Sequence, residues 1–97
     1  MTFNIGNAIS NREVIQFYYD GGIRVVEPFC YGESSKGNIV LRGFQVDGYS
    51  SSGSSVGWKL FKTEDMSNIS LVGHKFTQIR PHYNPDDKGM IRIICNV

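Results

Sequence analysis

The sequence predicts a mainly β protein: one small barrel of about five strands, with a short N-terminal helix and a C-terminal extension. Three observations predict it. Short runs rich in β-branched and aromatic residues follow one another closely from residue 13 onward. Glycine-containing or polar stretches separate most of those runs. The chain has 97 residues, with no internal repeat and no composition shift that would mark a boundary, so residues 1–97 read as a single domain. Short strands at close spacing favour a small antiparallel barrel over a parallel sheet.

The elements follow in order. In "NIGNAISN" (4–11), Ile5, Ala8 and Ile9 fall at i, i+3 and i+4, the apolar stripe of a helix that Asn4 caps and Gly6 weakens. So short a helix must dock on something to persist. Residues 13–19 form a first strand, and Asp20-Gly21-Gly22 supplies a turn tolerant of positive φ. Ile15, Phe17 and Tyr19 share one face of that strand, and Val14, Gln16 and Tyr18 the other. Large side chains on both faces suit a strongly curved sheet whose outer face is partly covered by the helix. Residues 23–31 return as a second strand, bent at Pro28, which lacks an N–H and belongs at an edge, bulge or bend. Ile15 and Phe17 are expected inside, near Leu41, Phe44 or Leu60.

After the polar turn 33–38 comes a third strand, 39–48, with Gly43 as a bulge or point of close approach. Residues 49–57 are a Ser/Gly loop, and 58–62 a fourth strand. "TEDM" (63–66) reads as a helix start capped by Thr63, and 67–73 as a fifth strand. The stretch 75–89 reads as a loop with turn chemistry at residues 84–87, and 90–95 as a last strand or extended segment.

Composition narrows the function classes. Ten basic against nine acidic residues give a net charge of +1, so bulk charge draws no polyanion and nucleic-acid binding would need a local basic patch. No run approaches a membrane span, and the N-terminus lacks the basic start and apolar stretch of a signal peptide, which leads to the expectation of a soluble, cytoplasmic domain without a membrane partner. Cys30 and Cys95 are too few for a disulfide scaffold and read as buried thiols. His74 and His82 lack partners at metal-ligand spacing, and Glu64-Asp65 and Asp86-Asp87 are explained by a helix start and a turn. No serine in residues 50–55 has the context of a nucleophile. No metal, cofactor or catalytic residue is expected, and the chain does not read as an enzyme.

"AISNREVIQFYYDGGIRVVEPFCYG", "GNIVL" and "WKLFKTEDM" together resemble the WYL domain family over residues 8–71. The first is similar to the family's opening: a short helix ending in Ala-Ile, a strand ending in Tyr, a Gly turn and a strand ending in Glu-Pro. "GNIVL" stands where the family has Trp-Tyr-Leu, and keeps only Leu41. In "WKLFKTEDM", Phe61 matches the family's Arg-x-Phe segment, Lys59 replaces its Arg, and Asp65 stands where a second Arg is usual. The resemblance implies a Sm/SH3-like barrel. It also implies a regulatory, transcription-linked role in bacteria, in which a basic groove senses a ligand, often nucleic acid or a nucleotide. This chain would be a stand-alone form, since no second helical region for DNA binding is present.

On that reading the ligand residues are Arg24, Arg42 and Lys59, which can hold phosphate if their strands are neighbours, with Tyr31, Phe44 and Trp58 as stacking surfaces for single-stranded nucleic acid or a nucleotide. The competing expectation places the cations on a solvated outer face and the aromatics in the core. Arg80, Tyr83 and Lys88, in the proline-stiffened "RPHYNPDDKG", are a candidate recognition loop, or else part of a lid over an open sheet edge. The alternative function is a protein-interaction module, acting as a homodimer or with a separate helical partner chain. In that case the strand at 90–95 would add to a neighbour's sheet.

Overall fold

The computed structural model describes residues 4–48, 56–77, 79–81, 83 and 90–96. The expected turn at 84–87, Lys88, His82 and loop residues 49–55 lie outside the described residues. The protein is mainly β. Helix α1 (Ile5–Ser10) precedes β1 (Glu13–Tyr19), β2 (Gly22–Glu33), β3 (Ile39–Gly48) and β4 (Gly57–Lys62); β5 (Ser67–Lys75) and β6 (Arg92–Asn96) complete the chain. All pairings are antiparallel, in the order β4-β3-β2-β1-β5, with β6 added to the C-terminal half of β2. Among the described residues the sheet therefore has six strands where about five were expected.

Local chemistry sets each element. Asn4 caps α1, its Oδ1 accepting the Asn7 N–H at 3.0 Å. The β1–β2 turn places Asp20 and Gly21 at φ 42° and 97°, as the Asp-Gly-Gly signal requires. A 3-10 helix (Thr63–Asp65) follows β4, but Thr63 does not cap it: its hydroxyl donates to the Ile39 carbonyl and ties the turn to β3.

The bend in β2 falls where proline predicted it. Pro28 pairs with Gly43 and Cys30 with Arg42, so Phe29 is an extra residue on β2. A Cβ at position 43 would lie 2.4 Å from Val26 Cγ1, which explains the glycine opposite the bend.

Among the described residues apolar clusters lie on both faces of the sheet, one inside and two outside. The inner one joins Ile15, Phe17, Val26, Leu41, Phe61 and Met66 to Ala8 and Ile9 of α1. Phe17 packs edge-on to Phe61 at 5.0 Å between ring centroids. Leu41 is therefore the expected neighbour of Ile15 and Phe17, and Phe61 takes the place foreseen for Phe44 or Leu60. Helix α1 covers the inner face, not the outer one as expected, because its Ile5–Ala8–Ile9 stripe docks beside Phe17 and Leu41. The outer face carries Val14, Phe29 and Phe76, with Cys30, Val40 and Met90 further along β2 and β3.

Phe61 of β4 and Ile69 of β5 meet the same inner cluster, so the sheet curls around it. Among the described residues the two end strands share no ladder, and the expected barrel is an open, curled sheet. Since Phe17 is wholly buried, Phe17→Ala is expected to cost about 3–5 kcal/mol. Pro28→Ala loses roughly two ring carbons and is expected to cost about 1–2 kcal/mol. Urea denaturation of both variants checks this; a Phe17→Ala midpoint equal to the parent's would mean that β1 presents its other face to the core.

Candidate functional site

Side chains directly opposite one another on paired strands share a face, and this rule places the expected cations. Arg24 stands opposite Phe17, on the inner face. Lys59 stands opposite Gly43, in the same row parity as the Leu41–Phe61 pair, and is also on the inner side. Arg42 stands between Cys30 and Leu60 on the outer face. The three strands are neighbours or near neighbours as supposed, yet the sheet separates their cations.

Arg24 is a buried structural cation. It is 4% exposed, its Nε donates to the Tyr19 carbonyl at 3.2 Å and an Nη to Gln45 Oε1 at 3.4 Å. Its guanidinium also lies over the rings of Tyr19 and Phe61. Tyr31 packs against the inner cluster, close to Gly6 of α1.

Phe44 and Trp58 do stand side by side, at 5.5 Å between centroids, but as part of the outer cluster. Phe29 is its centre, with ring centroids at 5.0 Å from Trp58, 4.9 Å from Phe76 and 5.2 Å from Tyr83. Tyr83 stacks on Trp58 at an interplanar angle of 17°, and Trp58 Nε1 donates to the Pro81 carbonyl at 2.7 Å. The faces that base stacking would use are taken up by protein rings.

Arg80 is part of the same arrangement. It holds the Glu27 carboxylate with two hydrogen bonds, 2.8 and 2.9 Å, and its guanidinium lies over Phe44. Hydrogen bonding to Glu27, reinforced by its charge, raises the Arg80 pKa above the ordinary guanidinium value, against a smaller opposing effect of burial. Arg80 and Tyr83 thus belong to a strap over the outer face, the lid of the alternative expectation laid across the sheet instead of along its edge.

Two features carry no expected site residue. One is a groove of about 320 Å³ between the β2–β3 turn and β4, containing Lys36, Lys62, Ser34, Asn38 and Leu60 in its lining. Only the polar turn "ESSKGN" hinted at it, and a turn next to a strand end is too common a pattern to mark a site. The other is β5, eight of whose nine residues are exposed.

His74 is exposed on β5, and no group of His, Cys, Asp and Glu among the described residues is arranged to hold a metal ion. No helix among them is long and apolar enough to cross a membrane. No family model, curated protein or solved structure matches the chain.

Arg80→Ala would leave the Glu27 carboxylate, 9% exposed, without its partner. A cost of about 2–3 kcal/mol is expected, below the value for a fully buried pair because Arg80 is 31% exposed. Trp58 emission should shift to the red as the strap loosens. An unchanged melting curve with unchanged emission would show that the strap does not depend on this pair.

Proposed function

We propose that this chain is a non-enzymatic protein-interaction module that pairs edge to edge with a second copy of itself through β5. The observation that carries the reading is the exposure of β5: Leu71 and Val72 project to opposite sides of the strand and are 49% and 36% exposed. A strand buried on neither face adds little to its own fold, and its outer row of backbone groups is a template for another strand. Among the described residues three strands pair on one side only. β4 carries Lys59 and Lys62, and β6 begins with Arg92, charges of the kind that discourage edge pairing. The middle of β5, Ile69–Val72, has neither charge nor proline. β6, the strand expected to add to a neighbour's sheet, pairs with β2 of its own chain.

A second copy suits this edge. In an antiparallel, two-fold pairing centred on Ile69–Val72, Lys75 of one copy lies alongside residues 63–69 of the other, where Glu64 and Asp65 stand and no lysine does. The nucleic-acid reading suggested by the WYL resemblance would need one basic face, and Arg24 and Lys59 stand on the opposite side of the sheet from Arg42.

Sedimentation equilibrium at about 100 µM, enough to populate a dimer of roughly 10 µM affinity, is expected to report a dimer. Leu71→Glu, which places like charges together at the centre of the pairing, should give a folded monomer. A parent protein that is strictly monomeric there, or a Leu71→Glu variant that stays dimeric, would sink the proposal.

A further inference from the structure

The groove at the β2–β3 turn has a chemistry of its own, independent of the β5 edge. Its turn is held in shape from within. The Ser34 N–H donates to the Asn38 carbonyl at 2.8 Å and the Gly37 N–H to the Ser34 carbonyl at 2.9 Å, while the Asn38 N–H reaches the Ser34 hydroxyl at 3.3 Å. Gly37, at φ +84°, permits the reversal. The opposite wall is fixed as well: Tyr19 Oη accepts the Lys62 N–H at 3.2 Å, and Thr63 anchors the next turn to β3. The groove is thus bounded by parts that do not need a ligand to order them, which lowers the cost of binding one.

The polar groups lining it include two ammonium groups, Lys36 and Lys62, the hydroxyls of Ser34 and Ser35, and the amide of Asn38. Among the described residues no carboxylate lines it. Neither lysine is in an ion pair with another described residue. Tyr19, Val40 and Leu60 add apolar surface, with Leu60 41% exposed. Beyond Lys62, a second depression lined by Tyr19, Lys62, Asp20 and Asp65 carries acid. An anion is therefore favoured on the Lys36 side and repelled from the other. The volume, about 320 Å³, lies at the small end of ligand sites.

We infer that this groove binds a small organic phosphate, with the phosphate between Lys36 and Lys62 and the apolar body against Leu60 and Tyr19. Lysine ammoniums act here as point charges, and the serine hydroxyls and Asn38 amide supply the neutral donors that a tetrahedral oxyanion also takes. An apolar body is required because an inorganic ion would leave Leu60 and the Tyr19 ring in water.

The test is a titration of the isotope-labelled protein with phenyl phosphate, inorganic phosphate and benzyl alcohol, followed by amide chemical shifts. Phenyl phosphate should move the resonances of residues 34–38 and 60–62 saturably, and bind more tightly than either comparison compound. Replacing both lysines (Lys36→Gln with Lys62→Gln) should weaken it about tenfold or more, since charge-assisted hydrogen bonds to the phosphate are lost. Both positions are on the surface, so a dispersed spectrum is expected to show that the fold is intact. Four results would overturn the inference: no localised shifts with phenyl phosphate, equal binding of inorganic phosphate, equal binding of benzyl alcohol, or unchanged affinity in a folded double variant.

Discussion

The one extra residue in β2 is the constraint on which the rest of the structure depends. Before it, Val26 faces the inner cluster and Glu27 the outer face; after it, Cys30 faces outward and Tyr31 inward. Without Phe29 as the surplus residue, strict alternation would put Cys30 inside and Tyr31 outside. β2 pairs with β1, β3 and β6, so this change of phase is transmitted to most of the sheet. It also bends the strand, and the bend lets one twelve-residue strand hold β1 at one end and β6 at the other. The glycines of this region are explained by the same crowding: a Cβ on Gly32 would fall 2.1 Å from the Arg92 carbonyl oxygen, as one on Gly43 would strike Val26.

Burial on both faces gives the C-terminal extension its purpose. A chain of 97 residues has enough apolar material for one modest core, and here it is divided between two. Ile15 and Phe17 serve the inner cluster, while Val14 and Phe29 serve the outer one. The outer cluster cannot be closed by the sheet alone. Phe76, Tyr83 and Met90 come from beyond the exposed part of β5, and the Glu27–Arg80 pair fastens Arg80 to β2 beside them. In a fold whose total stability is of order 5–15 kcal/mol, a closing segment of this kind is an integral part of the domain.

Much of this was legible in the sequence, and the illegible parts have definite causes. Alternation and turn residues placed β1 at 13–19 and β3 at 39–48, the bounds the structure has, because both strands are long and flanked by turn chemistry. Large side chains on both faces of β1 are visible in the sequence, and they do mean two covered faces. What covers the outer face is not legible, since the six-residue helix shows an apolar stripe whereas the strap that does the covering has no periodicity. The separation of Arg24 and Lys59 from Arg42 is illegible for a different reason. Arg24 sits in a strand where alternation alone makes an arginine solvated, and only the tertiary fold brings Gln45 and the Tyr19 carbonyl to it. The face of Arg42 follows from the strand pairing, which no local pattern reveals. Trp58 and Phe44 read in the sequence as stacking surfaces, and the rings that cover them come from Phe29 and from Phe76 and Tyr83, far away in the chain.

An open sheet must manage its ends, and this one manages them unequally. The curl brings β4 and β5 to the same inner cluster, yet among the described residues they share no ladder. Two features of β5 work against closure. Asn68 and Gly73 are at positive φ, 53° and 90°, and the β1–β5 register shifts twice, so the strand does not follow the regular twist of its neighbour. β4 meanwhile carries its lysines on both faces, Lys59 inward and Lys62 outward, and pairing there would have to desolvate at least one ammonium stem. The inward Lys59 also takes a position that an apolar residue would fill in a closed barrel. Openness is thus written into the residues of the end strands. It leaves β4 to wall a cation-lined groove and β5 to offer bare backbone, so the two candidate activities fall at opposite ends of one hydrogen-bonded path.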